Sequence, residues 1–151
     1  KFLYPDARNP KMLHRFSAKI DRVDQLPTGD IRIVDYKSGE AWQSLAEPKP
    51  DDLQMCIYAM ALEALLGADD GEAMGSARTA DQIQIPGWAE YWLLQDGIKG
   101  VIALQDLALP KARKEIDKVI EGFLEGKFPR GSDRNCKGLC GLLPPDLDEP
   151  E

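Results

Sequence analysis

The sequence predicts an α/β fold, and three observations support this prediction. Two strand-like segments flank a Pro-Thr-Gly turn at residues 27–29, and two more flank an Asp-Gly pair at residues 96–97. Apolar residues at helical spacing follow each pair of strands. The predicted order is therefore β-β-α-β-β-α. The chain has 151 residues, of which 43% are hydrophobic, so it is long enough for one domain with a substantial core.

The first two strands are predicted over residues 13–24 and 30–37, because both segments carry β-branched residues in partial alternation. Pro27 fixes φ at one corner of the turn between them. Gly29 supplies the positive φ that another corner requires. These segments therefore predict an antiparallel hairpin.

The register of this hairpin brings acidic residues together. A turn centred near Thr28 aligns Asp21 with Asp35, and alternation puts both on the sheet face that carries Lys37. Opposed residues have Cβ atoms about 4.5–5.5 Å apart, so two carboxylates there repel each other. A divalent cation removes the repulsion, and Mg²⁺ prefers carboxylate oxygens. The register therefore predicts a metal site here, provided that no bulge shifts it.

A helix is predicted after a loop over residues 39–50. It covers residues 51–66, with Asp51 or Asp52 as its N-terminal cap and Gly67 at its end. Apolar residues at helical spacing form its predicted buried stripe: Leu53, Ile57, Ala61 and Leu65.

A surface connection is predicted over residues 67–87, which are rich in Gly, Ala, Asp and Ser. The last two strands are predicted over residues 89–95 and 100–104, and Asp-Gly at 96–97 is a strong hairpin signal between them.

The last predicted helix starts at Pro110, a residue that suits a first helical position, and ends at Gly126. Its predicted core face consists of Ala112, Ile116, Val119, Ile120 and Phe123. We therefore predict one domain over residues 1–127 and an irregular tail over residues 128–151.

The net charge of −7 argues mildly against a nucleic-acid partner. Basic residues are nevertheless concentrated in residues 1–22 and 111–137, so local basic faces can form on an acidic domain. No stretch approaches the roughly 20 apolar residues that span a bilayer, so we expect no membrane partner and a cytoplasmic location. The chain starts at Lys1 without a signal-like segment, so we expect a fragment of a larger protein.

Three motifs occur in order over residues 20–59. They are Ile20-Asp21-Arg22-Val23-Asp24, Val34-Asp35-Tyr36-Lys37-Ser38-Gly39 and Leu53-Gln54-Met55-Cys56-Ile57-Tyr58-Ala59. With these motifs the sequence resembles the PD-(D/E)XK nuclease superfamily, and within it the RecB/AddB-like exonuclease branch. That branch carries an Asp on one strand, Asp-x-Lys on the next and Gln-x-x-x-Tyr on the following helix. The resemblance implies a restriction-endonuclease-like core, in which helices flank a central mixed β-sheet.

The resemblance implies roles for the strand residues. Asp21 and Asp35 would ligate Mg²⁺, or Mn²⁺ in its place, with help from the backbone carbonyl of Tyr36. Lys37 would orient or activate the attacking water and stabilise the charge that develops on the phosphate.

The helix residues Gln54 and Tyr58 are expected to face this site and to position the DNA backbone. Asp24 also matches the pattern, but its strand parity puts it on the face opposite Asp21. We therefore expect it to be a hydrogen-bonding or strand-end residue and not a ligand.

The implied function is a divalent-metal-dependent DNA exonuclease that hydrolyses phosphodiester bonds, in DNA repair or recombination and as part of a helicase–nuclease. The alternative is a catalytically inactive module that binds DNA or a partner as a scaffold. A sequence-specific endonuclease is a third option, which Gln54 and Tyr58 do not favour.

The chain differs from the family in two sets of residues, an upstream His or Glu and the cysteines that bind an iron–sulfur cluster. Related enzymes carry a His or Glu on a helix before the first strand, whereas His14 lies in the predicted first strand, where we expect a structural role. Cys136 and Cys140 are spaced one residue too far apart for Cys-x-x-Cys, and Cys56 is expected to be a small buried hydrophobic residue. Two cysteines cannot form a four-thiolate site, so we expect no iron–sulfur cluster.

The tryptophans are the remaining notable residues. Trp88 and Trp92 are predicted to pack in the core or along the third strand. Trp42 lies in the loop after the Asp-x-Lys motif, where an aromatic ring could stack on an unpaired base.

Overall fold

The computed structural model describes residues 1–39, 43–66 and 85–127. Over these ranges the chain forms six strands and three α-helices. The strands are β1 (Phe2–Pro5), β2 (Leu13–Phe16), β3 (Arg22–Gln25), β4 (Ile31–Lys37), β5 (Gly87–Leu93) and β6 (Ile98–Ala103). The helices are α1 (Gln43–Ala46), α2 (Leu53–Leu66) and α3 (Leu109–Glu125). The chain divides into two units between residues 118 and 119, so α3 begins in the first unit and ends in the second.

Four strands form a mixed sheet in the order β3-β4-β5-β6. The β3–β4 and β5–β6 pairs are antiparallel, whereas β4 and β5 are parallel. A parallel pair needs a crossover connection, and α2 lies within it. The predicted α/β fold with a central mixed sheet and flanking helices is therefore confirmed.

The β3–β4 hairpin has the predicted turn and register. Gly29 has φ of 92°, and its N–H donates to the carbonyl of Leu26 (2.9 Å). The ladder runs from the pair Gln25 and Ile31 to the pair Arg22 and Val34, which is the predicted register. The hairpin prediction is confirmed over this ladder. Asp21 lies one residue before β3, so its alignment with Asp35 stays a prediction.

The prediction of one continuous strand over residues 13–24 is wrong. Its first part is β2, which pairs with β1, a strand that we did not predict. The ring of Phe16 packs 5.6 Å from that of Phe2 and 5.5 Å from that of Tyr4. Strand β2 pairs with β1, which precedes it in the chain, whereas β3 pairs with β4, which follows it. Between β2 and β3 the chain is not in strand conformation.

Helix α2 begins at Leu53, two residues after the predicted start, and its buried face also differs from the prediction. The Asp52 carboxylate accepts a hydrogen bond from the Met55 N–H (3.0 Å), which confirms Asp52 as the cap. Leu53 and Leu65 of the predicted stripe are 42% and 49% exposed. The helix is apolar on nearly all sides, so apolar spacing does not distinguish the buried face. It ends at Leu66, and the expected stop at residue 67 lies outside the described residues.

Three loop and strand boundaries also differ from expectation. The predicted loop over residues 39–50 contains the short helix α1. The last hairpin is confirmed, with φ of 63° at Gly97, but β5 and β6 each start two residues earlier than predicted. Of the predicted connection over residues 67–87, residues 67–84 lie outside the described residues, and Gly87 already belongs to β5.

Helix α3 is buried only near its start. Leu109, Ala112 and Ile116 are buried, whereas the predicted core residues Val119 and Phe123 are 56% and 68% exposed. The apolar periodicity predicts which face of α3 is buried, but it does not predict how many turns of that face are buried. The predicted end at Gly126 is confirmed: this glycine has φ of 67°, and the next N–H donates to the Gly122 carbonyl (2.8 Å).

None of the described helices is long and apolar enough to cross a membrane. The predicted tail over residues 128–151 lies outside the described residues, as do Trp42, Cys136 and Cys140.

Gly100 of β6 allows α1 to approach the sheet closely, which predicts a stability effect. A Cβ atom at Gly100 would lie 1.9 Å from the backbone carbonyl oxygen of Leu45. We expect Gly100→Ala to lower the free energy of unfolding by about 2 kcal/mol, the order of an overpacked core position. The measurement is urea unfolding followed by circular dichroism.

The matched control is Gly39→Ala, because a Cβ at Gly39 would meet no atom within 4 Å. We expect this variant to stay within about 0.5 kcal/mol of wild type. Equal urea midpoints for Gly100→Ala and wild type would contradict the close approach.

Candidate active site

Four of the predicted site residues meet where β4 ends beside the first turns of α2. Asp35 and Lys37 extend from the same face of β4, because they are two residues apart on a strand. Gln54 and Tyr58 lie one turn apart on α2. The side chains of all four residues are joined by hydrogen bonds or an ion pair.

Asp35 is the centre of this network. Its side chain is buried, at 4% exposure for the residue, and its Oδ1 accepts two hydrogen bonds from α2. One comes from Gln54 Nε2 (2.8 Å) and the other from the hydroxyl of Tyr58 (2.9 Å). The other carboxylate oxygen, Oδ2, lies 2.7 Å from Lys37 Nζ. A buried carboxylate needs such compensation, because burial removes the hydration of its charge.

Lys37 connects the strand to the helix. Its ammonium group, besides pairing with Asp35, donates to Gln54 Oε1 (3.0 Å). It also lies 5.1 Å from the centroid of the Tyr91 ring, in cation–π range. The ammonium is therefore directed into the site and not toward open solvent.

Gln54 has both ends of its carboxamide occupied. Its Nε2 donates to Asp35 and to the Tyr58 hydroxyl (2.8 Å), while its Oε1 accepts from Lys37. Because an amide nitrogen only donates and its oxygen only accepts, these partners determine which way the carboxamide faces.

Asp21 lies next to this network, immediately before β3. Its Oδ2 accepts a hydrogen bond from the backbone N–H of Tyr36 (3.0 Å), the residue between Asp35 and Lys37. The carboxylate is exposed and hydrogen-bonded to the same strand end that carries the Asp-x-Lys motif. The expected proximity of Asp21 to that motif is therefore present, and its role as a metal ligand stays a prediction.

Tyr58 is held as a hydrogen-bond donor. Burial raises the pKa of its hydroxyl above the ordinary value, and the hydrogen bond from Gln54 partly offsets that rise. The hydrogen bond to Asp35 and the charges of Asp35 and Asp21 raise the pKa further. The phenol therefore stays protonated at neutral pH and donates to Asp35.

The donor set at this point fits a hard divalent cation. Asp35 Oδ2 is buried, and no donor among the described residues reaches it with hydrogen-bond geometry, since the nearby ammonium is close but poorly aligned. By contrast, the buried carboxylate of Asp6 accepts from two backbone N–H groups and lies 2.9 Å from His14 Nε2. Mg²⁺ is bound by one or two carboxylates together with waters. Asp35 and Asp21 could therefore hold it, with the predicted carbonyl of Tyr36.

The site contains no larger cluster of ligands in the part of the chain that the structure describes. Over residues 1–39, 43–66 and 85–127, no three His, Cys, Asp or Glu side chains come together as a metal-binding group. A site with two carboxylates is what the motifs predict, so waters or further groups would complete the coordination.

One residue of the network, Tyr91, was not predicted from the sequence. It lies on β5, donates from its hydroxyl to Asp52 Oδ1 (2.9 Å) and lies 3.4 Å from Gln54 Oε1. Burial raises the pKa of the Tyr91 hydroxyl above its ordinary value, and the charge of Asp52 adds to the effect. The only available signal was the position of Tyr91 on a strand next to Asp35, and that required the parallel β4–β5 pairing.

Asp24 lies outside the site, as its strand parity predicts. It accepts hydrogen bonds from Arg22 Nε (2.8 Å) and from Arg32 Nη2 (2.6 Å). The hydrogen bond from Arg22 comes first among the causes that lower the pKa of Asp24, followed by that from Arg32. The expected hydrogen-bonding role is confirmed.

His14 and Cys56 have structural surroundings. His14 contacts Asp6 between β1 and β2, which agrees with the expected structural role. Cys56 is fully buried, and burial raises the pKa of its thiol to about 12, so it is an unreactive packing residue as expected.

Trp88 and Trp92 pack along β5, as predicted. Both indole N–H groups donate to the buried carboxylate of Glu90 between them. The Trp92 ring meets that of Tyr36 edge to face, with centroids 5.5 Å apart.

Comparison with family models matched residues 5–143 to the PD-(D/E)XK nuclease superfamily. Comparisons with curated proteins and with solved structures found no match. The matched range includes every residue of the network around Asp35, and the mixed sheet with flanking helices agrees with a nuclease core of this kind. The chain belongs to the PD-(D/E)XK nuclease superfamily.

Proposed function

We propose that this chain is the hydrolytic domain of a divalent-metal-dependent DNA exonuclease. The observation that carries the proposal is the network around Asp35. One buried carboxylate is joined to a lysine of the same strand and to two residues of α2, with a second carboxylate at the adjacent strand end. Membership of a nuclease superfamily supports phosphodiester hydrolysis as the reaction.

In this proposal the two carboxylates, Asp21 and Asp35, hold Mg²⁺ or Mn²⁺ together with the Tyr36 carbonyl. The bound ion would supply a Lewis acid and a water of lowered pKa. Lys37 carries the positive charge nearest to Asp35, where it orients the attacking water and stabilises charge that develops on the phosphate oxygens.

Gln54 and Tyr58 are positioning residues in this proposal. Both donate to Asp35 Oδ1, which leaves the buried Oδ2 on the side of Lys37 without a hydrogen bond from the helix. Gln54 also holds the Lys37 ammonium, which keeps the cation and the carboxylate in one arrangement before substrate binds.

The exonuclease assignment rests on the resemblance to the RecB/AddB-like branch, in which Gln-x-x-x-Tyr accompanies the Asp-x-Lys motif. The contacts of Gln54 and Tyr58 with Asp35 support a role for that helix motif in the site. The same resemblance suggests work in DNA repair or recombination, with DNA as substrate and a helicase domain or subunit as partner.

The effect of removing the Asp21 carboxylate on Mn²⁺ binding tests whether Asp21 is a metal ligand. We expect Asp21→Asn to weaken Mn²⁺ binding by at least about tenfold, the order of effect seen even for partners of metal ligands. The measurement is calorimetric titration of the metal-free chain with MnCl₂.

Asp24→Asn is the matched control, because Asp24 lies three residues away and is held by Arg22 and Arg32. We expect this variant to bind Mn²⁺ like wild type. Equal weakening by both substitutions would argue against Asp21 as a ligand.

Degradation of labelled linear DNA tests the activity. We expect Mg²⁺-dependent release of nucleotides that falls by at least about 100-fold in both Asp35→Ala and Lys37→Ala. The first removes a proposed metal ligand, and the second removes the positive charge beside the reacting phosphate. Lys99→Ala is the control, since Lys99 lies over the Trp92 ring on the other sheet face. Circular dichroism establishes that each variant is folded. A folded wild-type chain that binds no metal and cuts nothing would favour the scaffold alternative.

A comparison of DNA forms tests the exonuclease assignment. An enzyme that needs a free end should degrade linear DNA and leave a covalently closed circle of the same sequence intact. The measurement is gel analysis of both forms over one time course in Mg²⁺. Opening of the circle at a rate comparable to degradation of the linear form would instead indicate an endonuclease.

A further inference from the structure

Tyr91 lies at the junction of the sheet, the start of α2 and the candidate active site. It is the β5 partner of Asp35 in the parallel ladder and is 1% exposed. Its ring lies under Lys37 Nζ, and its hydroxyl reaches across to α2. Tyr91 belongs to neither the Asp-x-Lys motif nor the Gln-x-x-x-Tyr motif.

The hydroxyl of Tyr91 contacts two groups of the helix start. It donates to Asp52 Oδ1 at 2.9 Å, and that same oxygen accepts from the Met55 N–H at 3.0 Å. The hydroxyl also lies 3.4 Å from Gln54 Oε1, which is the weaker contact because a phenol has a single proton. Asp52 therefore caps α2 and anchors it to β5 through one oxygen.

This arrangement bears on the orientation of the Gln54 carboxamide. The carboxamide must present Nε2 to Asp35 and Oε1 to Lys37 at the same time. Its Cα belongs to the first turn of α2, so a shift of the helix start would move both contacts. The Tyr91 hydroxyl opposes such a shift through its hydrogen bond to Asp52, the residue that caps this turn.

We propose that Tyr91, with Asp52, is a positioning residue that acts through Gln54. The pair holds the start of α2 against β5, so that the Gln54 carboxamide joins Asp35 to Lys37. The catalytic consequence of this inference rests on the proposed nuclease function, whereas the effect on Gln54 does not.

The matched control for Tyr91 is a buried tyrosine outside the site. Tyr4 is also buried, and its hydroxyl donates to a carboxylate, that of Asp117, at the same distance of 2.9 Å. Tyr4→Phe and Tyr91→Phe therefore remove equivalent hydrogen bonds and keep both aromatic rings. Both variants should lose a few degrees of melting temperature, on the order expected for one hydrogen bond.

The first measurement follows the side-chain amide of Gln54 by NMR in the metal-free, ¹⁵N-labelled chain. We expect Tyr91→Phe to shift or broaden both Gln54 amide proton signals and to speed their exchange with solvent. Tyr4→Phe should leave them unchanged. Unchanged Gln54 signals in folded Tyr91→Phe would overturn the inference.

A second variant covers the case in which Tyr91→Phe does not fold. Asp52→Ser retains a side chain that caps helices well but is shorter, so it separates capping from the contact with Tyr91. We expect it to disturb the Gln54 amide signals in the same way. Wild-type Gln54 signals in folded Asp52→Ser would overturn the role of Asp52.

The second measurement is a double-mutant cycle on DNA hydrolysis. We expect Tyr91→Phe to lower kcat roughly tenfold, as small misplacements of catalytic groups do, with KM unchanged. In a Gln54→Ala background the same substitution should have no further effect on kcat. An equal decrease in both backgrounds would overturn action through Gln54. If the wild-type chain cuts no DNA, the proposed function fails, and the NMR result alone decides the positioning inference.

Discussion

The compensation of one buried carboxylate, that of Asp35, organises this domain. A charge with so little exposure is stable only if donors replace the lost water, and here they come from two different elements. Lys37 contributes from the same strand, whereas Gln54 and Tyr58 contribute from α2. The helix must therefore sit with one turn over the end of β4, and the site exists only when strand and helix are assembled.

The mixed topology makes that assembly possible. Because β4 and β5 are parallel, the chain must cross over between them, and the crossover carries α2 past the end of β4. Asp52 then caps the helix and accepts a hydrogen bond from Tyr91, so the helix start is bonded to the strand beside Asp35. Sheet and helix thus share the hydrogen bonds of a single polar network.

Acidic side chains on the two faces of the sheet differ in their hydrogen bonding. On one face, Asp24 is held by two arginines, and Glu90 accepts from two indole N–H groups. On the other, Asp35 retains an oxygen that no donor of the described residues reaches with good geometry, although a lysine is close. Asp24 and Glu90 are thus hydrogen-bonded through both carboxylate oxygens, whereas Asp35 keeps an oxygen without a well-aligned donor, as the proposed metal site requires.

The sequence alone determined the register of the β3–β4 ladder, a helix cap at Asp51 or Asp52, and the grouping of Asp35 with Lys37, because turn chemistry, capping and strand alternation are local. The three ordered motifs also identified the superfamily, which the family match confirms. Only the tertiary structure decided that α2 buries Tyr58 and not Leu53, and that Tyr91 joins the network. An apolar helix has no preferred face of its own, and contacts across a parallel pair join residues far apart in sequence, so packing of the whole domain selects both.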